Sequence, residues 1–450
     1  MKKILAVLFI IVCGVIVIPM AINSPEPIPP KVVEPDSVEA QYQPILEAVK
    51  GSDNPQLALS NYLKDWAKEN DFHVVQDKSK NVIITKDAKE GYEKAPSTIL
   101  QSSTSQGIAS ALYVLKTTSY SGKLKVIFTV VNGETMVGAE NLDPSYLDSD
   151  YLINIVHDEK QYITNGSAET SLYSVDKNLS WVAPKNTLAF EIVARGFTGG
   201  NVDSIGNANA LNFAGRFLAN GRNQGMVLEL ASLNGGTAAS HIANEVAFVV
   251  VVNEYDGKRI EKLFNSSVEK FKNKYDTEGT AEFTLTPLEA LPEKVLSRTD
   301  TNSIISYLYG IVDGIYSMSP TSADLIESSS NMGTANTFTG NFTSHIMTTS
   351  FSDGRTTELD TAHHKLFYLS SMDSKMKIAS PMWIQKPGST LLPILTDYYN
   401  KSVKTDELIS NAPIHKGSEC GWLSQKNTVT DMVSISVENP EKYILKFLGN

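Results

Sequence analysis

From Gln43 to Phe72 apolar residues recur at helical spacing, with Leu57, Leu59, Tyr62, Leu63 and Trp66 on one face, which predicts a helix over this span. The period then changes. "FHVVQD" and "NVIITKDA" read as two strands joined by the turn "DKSKN", "APSTIL" as a third, "GIASALYVLKTT" as a helix and "LKVIFTVVN" as a fourth, strongly apolar strand. Strands that alternate with helices predict a mostly parallel sheet covered on both faces. After Pro184 the texture differs. The strand "TLAFEIVARGFTGG", the helix "NANALNFAGRFLA" and the strands "GMVLELASLNGG" and "HIANEVAFVVVV" describe an inserted α+β domain whose helices cover one face of an antiparallel sheet. From about residue 378 the first texture returns, with the helix "TLLPILTDYYNKS", the glycine-rich "HKGSECGW" and the strand "DMVSISV". Residues 42–186 and 378–450 are therefore expected to form two parts of one α/β domain, with residues 187–377 inserted between them.

The first residues carry a different signal. Lys2 and Lys3 precede "ILAVLFIIVCGVIVIPMAI", an apolar run of roughly bilayer-spanning length, which predicts lysines held inside and an exported remainder. A cleaved secretory signal has an apolar core of about 7–15 residues and a small-residue exit. This run is longer and its exit is blunt, so residues 1–24 are expected to be an uncleaved anchor, with a cleaved signal as the alternative. Attachment of lipid at Cys13 is disfavoured, because Val12 stands where a small residue belongs and the apolar run continues past it. The proline-rich residues 25–41 read as an extended spacer. The expected location is the cell membrane, with a single pass and an exported C-terminal domain, or secretion after cleavage.

Composition narrows the partners. With 42% hydrophobic and 20% charged residues, 450 residues suffice for two domains with ordinary cores. Fifty acidic against 39 basic residues give a net charge of −11, which repels polyphosphate and excludes nucleic acid as the natural partner. Of two cysteines, Cys13 lies in the apolar run and Cys420 far from it, so no disulfide framework is expected.

Several segments resemble one known family. "YLKDWAKENDFHVVQDKSKNVIITKDA", "GNANALNFAGRFLA", "LELASLNGGT", "GIVDGIYSMSPTSADLIESSSNMG" and "APIHKGSECGWLSQKNTVTDMVSISV" are similar, in order, to segments of the aminoacyl-histidine dipeptidases, a family of dinuclear zinc metallopeptidases. The similarity runs from Gln43 to Val437. It implies a three-layer α/β/α peptidase-like domain, an inserted α+β lid, and pairing of two copies through the lid. It also implies two zinc ions held by His, Asp and Glu, with a separate Glu as general base.

Carried over residue by residue, that site is empty of its chemistry. The first zinc His and its companion Asp match Ser103 and Ser105, and the loop that would bring the bridging Asp is shortened. Independently of any alignment, no Asp or His occurs between Asp87 and Asp143. The general-base Glu and its neighbouring ligand Glu match Asn132 and Gly133, with Glu134 one residue on. The next ligand Asp matches Val156, followed by His157, Asp158 and Glu159. The lid His matches Asn201, and no histidine follows His415 to supply the last ligand. Hydroxyl and amide side chains do not replace imidazole and carboxylate as zinc ligands. His415 and Glu419 in "HKGSECG" do match the family's C-terminal motif.

The expectation is thus a pseudopeptidase without zinc, its cleft kept for a peptide or protein partner, with Glu134, His157, His415 and Glu419 as cleft candidates. The alternative is a hydrolase with a rearranged metal site built from Glu134, His157, Asp158 and Glu419. His363 and His364 in "DTAHHKLF", read as neighbours on a strand, are expected to be one packed and one solvated imidazole.

Overall fold

The computed structural model describes residues 37–201, 205–275, 280–320, 325–384, 386–403 and 408–449. The segment assigned to an anchor, residues 1–24, and residues 25–36 of the expected spacer lie outside the described residues; the last residues given to that spacer instead open the first helix, Val38–Val49, behind the Ser37 cap.

The first unit is a seven-stranded mixed sheet. Across it run His73–Gln76, Val82–Lys86, Leu124–Phe128, Thr98–Ser102, Tyr151–Ile155, Asp431–Ser436 and Tyr162–Thr164. Parallel pairing joins 124–128, 98–102, 151–155 and 431–436, and the outer strands pair antiparallel. Thr98–Ser102 and Leu124–Phe128 are buried at every position, as strands with both faces covered must be. Helices Val38–Val49, Pro55–Glu69, Ser105–Thr117, Leu391–Asn400 and Pro440–Phe447 pack on one face around Ile45, Leu63, Leu112, Val126, Ile153 and Val433. The short helix Val137–Asn141 and the helix Glu419–Lys426 cover the other, around Ile99, Ile127, Leu152, Trp383, Cys420 and Leu423.

The helix expected over 43–72 is two helices. Gly51 sits at φ +70°, and the Asn54 side chain accepts from Leu57 N at 3.1 Å, capping a new helix that opens with Pro55 at its first position. The hydrophobic period continues across this break because both helices face the same core.

The second unit is an antiparallel nine-stranded sheet. Its order is Glu282–Pro287, Leu188–Arg195, Val246–Val252, Glu229–Gly235, Ile326–Thr337, Asn341–Ser350, Glu169–Asn178 and Asp373–Ser380, with Gly314–Met318 also paired to 326–337. Ala210–Asn223, Gly257–Tyr275, Arg298–Gly310 and Asp353–Leu369 contribute to its core, together with Phe213, Phe217, Phe248 and Phe342. The strand Glu169–Asn178, which the change of texture at Pro184 leaves with the α/β domain, pairs along its whole length with 341–350 of this lid. The lid sheet therefore runs from Glu169 to Ser380. His363 and His364 lie on the helix Asp353–Leu369, not on a strand. His363 is fully buried and His364 half exposed, because successive helical side chains diverge by about 100°.

Two chain crossings join the units, and they are tied together. Ser167 N donates to Trp383 O and Trp383 N to Ser167 O, each at 3.0 Å. Ala168 N donates to Ile414 O at 3.0 Å on the other side. Beyond this junction the lid loop after Gly235 is held against the strand 326–337 at a distance that only glycine permits. Gly236 has φ +72°, and a Cβ on Gly333 would lie 2.1 Å from Ala238 O. Gly333→Ala is therefore expected to destabilise the lid by about 1–3 kcal/mol. Gly340→Ala, where no atom lies within 4 Å of the added carbon, should stay within about 0.5 kcal/mol of wild type. Denaturant midpoints of the two variants check the difference.

Candidate functional site

The parallel strands end together, and at their carboxyl ends the apolar pattern gives way to a row of polar residues on one face. Gln101, Asn154 and Ser434 stand at paired register positions, and Thr129 follows the strand 124–128 directly. All four are at most 1% exposed. Ser434 Oγ donates to Asn154 Oδ1 at 2.6 Å, and Asn154 Nδ2 donates to Gln101 Oε1 at 2.6 Å. Gln101 Nε2 then donates to both Thr129 Oγ1 at 2.7 Å and Glu419 Oε2 at 2.9 Å. The crevice outside the carboxyl ends of parallel strands is the general ligand position of open α/β sheets.

Glu419 closes the row. It is the first residue of the helix Glu419–Lys426, whose cap Ser418 accepts from Cys420 N, so its carboxylate sits at the positive end of that short helix. Besides Gln101, it accepts from Ser103 Oγ at 2.9 Å and from Thr129 Oγ1. Burial raises its carboxyl above the usual carboxylate range, while the Thr129, Gln101 and Ser103 donors pull it back. A buried carboxylate with three donors is held in place by them, since each lone pair left unpaired would cost more than the bond contributes.

The remaining cleft residues are dispersed. Lys416 pairs with Asp158 and lies 5.3 Å from the Tyr162 ring centroid. His415 Nε2 shares a 2.8 Å hydrogen bond with Ser329 Oγ of the lid, and burial lowers this imidazole to about 4, so it is neutral at ordinary pH. Glu134 reaches across to the lid and accepts from Ala239 N at 3.2 Å and from Ser240 N. Between the units a cavity of about 250 Å³ is lined by Glu134, Met136, Thr170, Asn201, Ser240 and Lys416, among others.

The sequence-derived residues thus meet different fates. Ser103 and Glu419 come together. Ser105 opens the helix Ser105–Thr117 behind the Thr104 cap, three residues after the strand. Asn132 and Gly133 form an exposed turn closed on Thr135, and Val156 donates its N–H to Ile435 O at 3.0 Å. Asn201 bridges to His241 in the lid. His157 is exposed, whereas Asp158 is engaged by Lys416. Glu134, His157, Asp158 and Glu419 therefore do not converge: each has a separate environment. Among the described residues no three His, Cys, Asp or Glu side chains form a group that could hold a metal ion. The donor set at the strand ends, one carboxylate among hydroxyls and amides, does not fit a dinuclear zinc centre. Gln101, Thr129, Asn154 and Ser434 were not singled out by the sequence: each lies within two residues of the carboxyl end of its strand, but only the pairing register brings them into one row.

Similarity to known proteins agrees with this architecture. No family model matches the chain. The cytosol non-specific dipeptidase of Escherichia coli K12 is 26% identical over 427 residues, covering 84% of this chain and 86% of that protein. The chain is a homologue of the dipeptidases. The crystal structure of aminoacylhistidine dipeptidase from Vibrio alginolyticus shares the fold, with a TM-score of 0.66 at 22% identity over 91% of this chain and 96% of that one. The dipeptidase relationship corrects the expected location. The curated relative is named for the cytosol, and among the described residues no helix is long and apolar enough to cross a membrane. A single-pass or secreted dipeptidase homologue, inferred from one apolar run and its flanking lysines, is not retained.

Because folding raises the Glu419 pKa, the folded chain holds this proton more readily than the unfolded one. Stability drawn from the group therefore declines as pH rises from the unfolded carboxyl value, near 4.5, through the folded one. Glu419→Gln has no such titration, so the stability of wild type relative to this variant should be greatest at the acid end of that window and shrink as pH rises. A difference that grows with pH contradicts the assignment. Glu419→Ala, which leaves the Gln101, Ser103 and Thr129 donors facing a void, should cost about 3 kcal/mol in the same unfolding measurement.

Proposed function

We propose that this dipeptidase homologue does not hydrolyse peptides through zinc, and that it uses the cleft between its two units as a binding surface for a peptide or protein partner. The observation that carries this reading is the closed set of bonds on Glu419. The carboxylate at the strand ends is already satisfied by Gln101, Ser103 and Thr129. Those neighbours are neutral groups with weak affinity for a divalent cation. A metal entering here would have to break these hydrogen bonds and would find one anionic ligand.

The competing reading, a hydrolase with a rearranged metal site, needs Glu134, His157, Asp158 and Glu419 in one place. Glu134 is held by lid amides, Asp158 by the Lys416 ammonium and Glu419 by the polar row, while the His157 side chain is exposed. No observation of side-chain geometry favours it, and the homology to dipeptidases is its support.

Zinc titration by calorimetry and elemental analysis of the purified chain, alongside an assay of aminoacyl-histidine dipeptides with zinc supplied, tests the choice. The expected outcome is no stoichiometric zinc, no micromolar zinc affinity and no turnover. Zinc-dependent turnover that is lost in Glu419→Gln or His157→Ala would establish the hydrolase.

A further inference from the structure

The contact between Glu134 and the lid is built as a receptor and its ligand. The receptor side is the turn from Ala238 to His241, closed by His241 N donating to Ala238 O at 3.1 Å. Its two central amides, Ala239 N and Ser240 N, both point at one carboxylate. The turn is fixed from behind. Asn331, 1% exposed, donates from Nδ2 to Ala239 O at 2.7 Å and to His241 O at 2.9 Å, and the close approach of Gly333 to Ala238 leaves it no room to retreat. Successive backbone amides held convergent in this way form an anion-binding concavity whatever fills it.

The ligand side belongs to the other unit. Glu134 stands on the short turn from Asn132 to Thr135, in which Asn132 N donates to Thr135 O at 2.9 Å and Thr135 N to Asn132 O at 3.1 Å. The carboxylate is thus delivered on a stiff support. It divides its two oxygens between the two amides, Oε2 to Ala239 and Oε1 to Ser240, as the free carboxylate of a small ligand would. The contact lies on the wall of the interdomain cavity, beside Asn201 and Lys416.

We propose that Glu134 is an internal ligand that occupies the cleft's carboxylate-recognition point and latches the two units together, and that a peptide with a free carboxylate binds by displacing it. This rests on the reading of the cleft as a peptide-binding surface and names what enters it. The junction at Ser167 and Trp383 is then the hinge about which displacement opens the cleft, and the lid turn changes partner without changing shape.

The test uses the full chain with Glu134→Gln and Glu134→Ala, in buffer containing a chelator. Hydrogen exchange is followed at the Ala239 and Ser240 amides, and calorimetry compares alanyl-alanine with alanyl-alanine amide. Both variants should exchange these two amides about tenfold faster or more, as expected for loss of charge-assisted hydrogen bonds. Alanyl-alanine should bind Glu134→Ala about tenfold more tightly than wild type and restore protection, whereas the amide derivative should gain nothing. Exchange at the wild-type rate in both variants, no gain in affinity, or a gain that the amide derivative shares overturns the proposal. Glu134→Gln is nearly isosteric and keeps the test valid if the alanine variant folds poorly. Hydrolysis of the dipeptide on adding zinc would instead defeat the non-hydrolytic reading and leave the latch standing.

Discussion

A carboxylate buried at the end of a sheet is a liability that the surrounding chain must satisfy, and here the demand is made by Glu419. An ionised carboxylate taken from water without partners is too costly for a fold whose net stability is a few kilocalories. The Gln101 amide and the Ser103 and Thr129 hydroxyls meet that cost, and each depends on further residues for its orientation. Gln101 is turned by Asn154, and Asn154 by Ser434. One carboxylate therefore specifies polar residues on four neighbouring strand ends, and a change at any of them leaves a donor or acceptor orphaned in a dry place.

The same constraint ties the strand ends together. The hydrogen-bonded row does so with neutral groups, which need no cation to offset mutual repulsion. The lid is secured separately, through the junction at Ser167 and Trp383, the pairing of Glu140 with Lys377 at 2.9 Å, and the hydrogen bonds of Glu134 to the lid amides.

Much of the architecture was legible in the chain because it follows from period alone. The alternation of strand and helix from His73 to Phe128 and the antiparallel texture after Pro184 both appear as read. Period failed where two elements share a core face, so that Gly51 to Asn54 passed unnoticed inside one apolar stripe. It failed again where a strand belongs to a sheet formed much later in the sequence, as Glu169–Asn178 does. His363 and His364 were placed on the wrong kind of element, yet their burial came out as expected, since one packed and one solvated ring satisfies either geometry. In the site, the absence of Asp and His from Asp87 to Asp143 was plain. The polar row was not, because Gln101, Asn154 and Ser434 are unremarkable singly and acquire meaning only through a register that the sequence does not display.

Anomalous diffraction at the zinc edge from crystals of the chain grown with excess zinc tests the central claim most directly. The account predicts no anomalous peak at the strand ends, and the Gln101, Ser103 and Thr129 hydrogen bonds to Glu419 intact. One or two peaks within about 2.0–2.2 Å of Glu419 and neighbouring ligand atoms, with that polar row broken open, would contradict it.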